Sequence, residues 1–125
     1  SSVNIGSNAT PATTLSVIGS SLLSGAVIFK RHLASANYIV TVNDFYIGAD
    51  TTNNTVLLSL PTASTMADGQ TFVIKDEGGN ANNNNITISC SVGGDQIDGK
   101  NLIILESPFA SIQLYCNGTN KYFIT

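Results

Sequence analysis

The chain has 125 residues, enough for one domain with a genuine core and a short appendage. Only 10 % of its residues are charged, against about 25 % in an ordinary soluble domain, and the formal net charge is −3 with five Lys and Arg. That balance leaves no basic footprint for nucleic acid, and no apolar run approaches the roughly 20 residues of a membrane-spanning helix.

Polarity comes from Ser, Thr and Asn, which suit strands and turns better than helix interiors and argue against a typical cytosolic enzyme. The opening "SSVNIGSNAT" lacks the charged and apolar regions of a signal peptide and reads as cut from a longer polypeptide. The first stretch, "VNIGSNATPATTLSVIGSSLLSGAVIF", is rich in Gly, Ser, Thr and Ala and cannot close a core alone. Its apolar residues, Val17, Ile18, Val27 and Phe29 among them, need copies of the chain or a partner to bury them. A boundary is expected near His32 to Ser35, giving a segment 1–32 and a domain 33–125.

From there the apolar residues alternate in short runs, the pattern of half-buried strands. In "NYIVTV", Tyr38, Val40 and Val42 share a face; in "TVLLSL", Val56, Leu58 and Leu60 do. "TFVIK", "NITISC", "NLIILE", "SIQLYC" and "KYFIT" continue the series. Asp68-Gly69, Gly78-Gly79, Gly93-Gly94, Asp98-Gly99 and Asn117-Gly118 supply turns between them. The expected fold is all-β, an antiparallel β-sandwich. Leu102 and Ile104 occupy one face of their strand while Ile103 and Leu105 occupy the other. A second apolar face needs a cover, from a loop or from self-association. Cys90 and Cys116 fall on the inward parity of their strands, as buried thiols or as a cross-strand disulfide.

Few residues suggest chemistry. The one histidine, His32, has no Gly-x-Ser-x-Gly elbow or evident triad partners in sequence. Asp68, Asp95 and Asp98 sit beside Gly in turn contexts, where Asp serves local hydrogen bonding. Asp76-Glu77, within "IKDEGGNANNNNITIS", is not explained that way. The amides of Asn82, Asn83 and Asn84 offer donors and acceptors that match sugar hydroxyls. Tyr38, Tyr46 and Tyr115 are candidate aromatic platforms, with Tyr115 alternating outward from Leu114 and Cys116. No metal or cofactor motif is read.

From about position 38 to the end, the order of motifs is distinctive. A strand leads to Leu-Pro, an Asp-Gly turn, "IKDEGGNA", an isoleucine-rich strand, "IDG", and finally "SIQLYCNGTNKYFI". This order resembles the C-terminal head domains of trimeric phage tail fibres and related viral or bacterial surface fibres. "IGSNATPATTLSVIGS" is similar to a shaft repeat of such fibres. Tyr122 stands where many relatives carry a Trp.

The resemblance implies a parallel homotrimer with a short β-rich shaft segment, residues 1–32, below a head. Its function would be attachment to a cell-surface receptor, often a glycan, on a virion tail fibre or an extracellular cell-surface fibre. No enzyme activity, cofactor, nucleic-acid partner or membrane insertion is expected. Asn82, Asn83, Asn84, Asp76, Glu77, Tyr46 and Tyr115 are the candidate ligand contacts, and Val17, Ile18, Val27 and Phe29 the candidate trimer contacts. A structural trimerising cap and a glycan-processing domain are the alternatives.

Light scattering of the purified chain should therefore report a particle of about 39 kDa, three times the 13.0 kDa protomer. A well-folded monomer at micromolar concentration would contradict that assembly.

Overall fold

The computed structural model describes residues 20–125. Ten strands and one 3₁₀ turn, Ala63–Thr65, make up the regular structure, with no α-helix among the described residues. The chain is all-β. The strands are β1 (Arg31–Ala34), β2 (Tyr38–Ile39), β3 (Tyr46–Ala49), β4 (Val56–Leu60), β5 (Thr71–Asp76), β6 (Ile86–Cys90), β7 (Gln96–Ile97), β8 (Leu102–Leu105), β9 (Ser111–Cys116) and β10 (Lys121–Ile124).

Two sheets share these strands. The larger runs β1-β3-β5-β9-β10-β7 and the smaller β2-β4-β6-β8. Successive strands from β1 to β6 alternate between the sheets, so each strand pairs with the next but one. Leaving a sheet, crossing the other and returning restores the original direction. β1, β3 and β5 are therefore parallel, and so are β2, β4 and β6. A strand in the opposite sheet serves as the crossover that a helix usually provides. Only after β6 does the chain reverse, with β8 antiparallel to β6, β9 to β5, and β10 to β9.

The antiparallel arrangement expected from the sequence is thus corrected. Four of the five glycine turns lead to a strand of the opposite sheet, and only Asn117-Gly118 closes a hairpin, between β9 and β10; the two kinds look alike in sequence. Gly69, Gly79, Gly94, Gly99 and Gly118 all have positive φ, so the turns themselves were placed correctly. Asp98 joins Gly99 at positive φ, closing a tight turn between Ile97 and Lys100. Residues 31–34 form β1, paired along its whole length with β3, so a cut after position 32 would split a strand of the larger sheet.

Alternation along each strand assembles the core in columns. Tyr38, Leu58, Ile88 and Ile103 face inward in one row of the smaller sheet. His32, Ile47, Ile74 and Ile112 form the matching row of the larger. Buried residues of both sheets join a single apolar cluster, with Phe72 and Tyr122 the largest members. The Tyr122 hydroxyl donates to the Pro61 carbonyl at 2.6 Å, so the buried aromatic keeps its polar tip satisfied.

Cys90 and Cys116 are both free thiols, resolving the choice left open by the sequence. Burial, reinforced by the nearby Asp95 charge and the other thiol, pushes the Cys90 pKa up to about 11. Burial also raises that of Cys116. Both are therefore protonated near neutral pH and poor nucleophiles.

Candidate functional site

Residues 75–77 show how one strand end can serve two purposes. Asp76 points inward from β5, while Lys75 and Glu77 on either side of it turn outward. Asp76 has no exposed surface. Its Oδ1 accepts from Thr51 Oγ1 at 2.7 Å and from the Gly79 amide at 3.0 Å. Its Oδ2 accepts from the amides of Ala81 at 3.1 Å and Phe109 at 3.0 Å. One carboxylate thereby gathers the loops after β3, β5 and β8. Burial pushes its pKa upward, but the hydrogen bonds from Thr51, Phe109, Ala81 and Gly79 outweigh that and hold it below the ordinary range.

The loop around this clasp is tightly built. Gly78 lies so close to the preceding loop that a Cβ there would come 2.5 Å from the Thr51 nitrogen. Gly79 combines a φ of +71° with the Phe109 ring, which a Cβ would meet at 2.2 Å. Phe109 itself sits at φ 59°, a conformation that bulky side chains rarely adopt. Its backbone N–H donating to Asp76 and the Lys75 ammonium donating to its carbonyl hold it there. Asn84 Nδ2 donates to the Thr51 carbonyl at 2.8 Å, and Asn83 Nδ2 to Asn80 Oδ1 at 2.8 Å.

On the outer face, Lys75 and Glu77 border a depression of about 310 Å³ lined by Arg31, Tyr46, Ile47, Gly48, Val73, Lys75, Glu77 and Ser111. Strand register makes it. Leu33, Gly48, Lys75 and Ser111 lie in one row across β1, β3, β5 and β9, and Arg31, Tyr46 and Val73 in the next. Gly48 leaves a gap in the first row, and Glu77 fills part of it: a Cβ on Gly48 would lie 1.6 Å from Glu77 Oε2. Arg31 grips that carboxylate in a fork, with Nε to Oε2 at 3.1 Å and Nη2 to Oε1 at 2.5 Å. The Glu77 hydrogen bond and charge raise the guanidinium pKa further. Tyr46 stands beside it, partly exposed. The arrangement offers an aromatic face, fixed donors and an acceptor on a paired sheet.

The sequence-based candidates separate into groups. Glu77 and Tyr46 meet at the depression. Asp76 is withdrawn from ligand contact, because it is buried and its oxygens are already engaged. Asn82 and Asn83 are exposed but outside the lining, and Asn84 is half-buried and occupied in holding its loop. Tyr115 is exposed on the same face, its ring 5.3 Å from Phe123, but outside the depression. Tyr38 is not a platform. Its hydroxyl donates to the buried Asp44 at 2.8 Å and its ring stacks on His32 at 3.8 Å. Burial, with the Asp44 hydrogen bond and charge, pushes its pKa up to about 12.

Asp44 also accepts from the Thr41 amide and hydroxyl, and its Oδ1 faces the Lys30 ammonium at 3.2 Å as an ion pair without an aligned hydrogen bond. Among the candidate trimer contacts, Phe29 stacks on Phe45 of its own chain at 4.1 Å yet remains 46 % exposed. Val27 is half-exposed, and Val17 and Ile18 lie outside the described residues.

Sequence reasoning missed Arg31, Gly48, Lys75 and Ser111. The parity of β5 could have turned Lys75 outward. Nothing local could have placed Arg31 or Gly48, since their neighbours come from parallel register between separate strands. Among the described residues, no group of three or more His, Cys, Asp or Glu side chains is placed to hold a metal. No family model matches the chain, and no curated protein matches it.

Asp76 carries a pH signature. Its folded pKa lies below the ordinary 3.8, so its stabilisation is complete above that value and is lost as the pH falls through the lower folded value. Asp76→Asn should destabilise the protein by about 3 kcal/mol near pH 7, with the difference shrinking as the pH falls through the depressed folded pKa and the wild-type carboxylate protonates. Urea unfolding at several pH values reads this directly. A difference independent of pH would show that the carboxylate's charge is not what holds the loops.

Proposed function

We propose that this chain is the receptor-binding tip of a trimeric fibre that attaches to a target cell surface, with a glycan as ligand. The observation that carries the reading is the depression on the outer face of the larger sheet. There an exposed tyrosine stands beside a charged fork and a lysine, on paired strands that need no rearrangement to present them. Protein sites for sugars exploit such a combination, since a ring stacks on an aromatic face while hydroxyls take paired donors and acceptors. The low charge of the chain fits recognition through hydrogen bonds and stacking rather than broad electrostatic attraction. Individual contacts of this kind bind modestly, and three linked copies would raise the effective affinity.

The order of motifs along the chain supports placing this head in a parallel homotrimer, as a sandwich-like domain on a virion tail fibre or an extracellular cell-surface fibre. Leu22, Leu23 and Ile28 are 91 %, 69 % and 92 % exposed in the single chain, which fits a segment covered by other copies. The same exposure favours a second reading, a cap whose only task is to hold three chains together.

Binding to target cells or a glycan array separates the two. Tyr46→Ala should lower binding about tenfold while leaving the protein folded, with only a small drop in melting temperature from the lost edge contacts to Phe29 and Phe45. Asn82→Ala with Asn83→Ala should leave binding unaffected. Binding that ignores Tyr46 but fails with the asparagine pair would move the site to the loop. A wild-type protein that binds no cell or glycan would favour the cap.

A further inference from the structure

We infer that Glu77 holds the place of a ligand carboxylate, and that the depression over Gly48 takes a saccharide bearing a carboxylate that displaces Glu77 from Arg31. The inference rests on the receptor reading and deepens it by naming the ligand class.

An arginine fork matches a carboxylate in two parallel hydrogen bonds, a geometry that a sugar hydroxyl does not reproduce. That fork is already occupied by Glu77, with both bonds formed. The occupant comes from the outer surface, not from the core. The Arg31 and Glu77 side chains are 54 % and 31 % exposed, so exchanging one carboxylate for another breaks no buried pair. An exposed pair of this kind contributes little to stability. The backbone of Glu77 is fixed by the hydrogen bond its N–H donates to the Ala49 carbonyl, whereas the side chain beyond it lies over Gly48. When it swings away, the room it vacates is the space that the missing Gly48 side chain leaves open.

Two further groups favour an acidic sugar over any other carboxylate. The Lys75 ammonium donates to the Phe109 carbonyl and lies 5.8 Å from the centre of its ring, which leaves further donors for a ligand. Arg31, Lys75 and Glu77 together carry one net positive charge in a chain whose net charge is −3. Tyr46 borders the same depression and supplies a face for the ring that carries the carboxylate.

The test titrates the intact protein with an oligogalacturonate and with the same oligosaccharide after carboxyl reduction, following the Arg31 Nε and Tyr46 ring signals by NMR. Wild type should bind the acidic form more tightly than the reduced one. Glu77→Gln should bind the acidic form about fivefold tighter than wild type, because the competitor and its repulsion are both gone. Arg31→Lys should weaken it about tenfold by removing the fork while keeping the charge. A gain of affinity in Glu77→Gln cannot arise from misfolding.

The inference is overturned if the reduced oligosaccharide binds as well as the acidic one, or if Glu77→Gln binds the acidic form no better. It is overturned equally if an acetylated acidic peptide binds these residues as tightly as the sugar, which would make the site one for protein carboxylates. With the first two results, cell or neutral-glycan binding by wild type still supports a receptor tip. Absence of all glycan and cell binding overturns both readings.

Discussion

The buried carboxylate of Asp76 is the contact on which this end of the protein depends. A charge without exposed surface is tolerated only when its oxygens are engaged. Here the partners come from three separate loops: Thr51 after β3, Gly79 and Ala81 after β5, and Phe109 after β8. Their backbones are thereby fixed relative to one another. The tight approach of Gly78 to Thr51 and the strained φ of Phe109 persist because the clasp holds both sides. The outward neighbours of Asp76 inherit that order. The backbones of Lys75 and Glu77 are held at the depression while the residue between them is pinned inside.

Topology supplies the rest of the site. Because the chain alternates between two sheets, β1, β3 and β5 stack in parallel register, and residues far apart in sequence fall into rows. Arg31 reaches Glu77 across 46 positions of chain in this way. The row containing Gly48 is open because that residue alone lacks a side chain between Leu33 and Lys75. The depression is thus a consequence of register and one glycine, on strands whose inward faces are committed to the core.

Much of the local structure was legible in the sequence, and the reasons are physical. "TVLLSL", "TFVIK", "NITISC" and "SIQLYC" became β4, β5, β6 and β9, since period-two alternation on a half-buried strand leaves little freedom. The glycine turns had the backbone they demanded. β1 and β3 went unread because "RHLA" and "YIGA" are short and put polar or small residues on the inward parity, His32 and Ala34 in one and Ala49 in the other, while Leu33 and Tyr46 face outward. Strand direction went unread because a turn does not announce which sheet the chain enters next. Asp76 stood out in sequence as an acid that turn contexts do not explain, but was expected on the surface, whereas it is buried and engaged by its own loops. Its position at the end of "TFVIKD" shares the parity of Phe72 and Ile74, which is an inward one.

Asp76 acts as a common acceptor for several loops at once, and amide hydrogen exchange measures this most directly. In wild type, the amides of Gly79, Ala81 and Phe109 should be protected although they lie in loops. In Asp76→Asn, protection at all three should fall together while the amides of β4 and β6 stay protected. Loss at only one of the three, or none, would contradict the claim that a single carboxylate organises this end of the molecule.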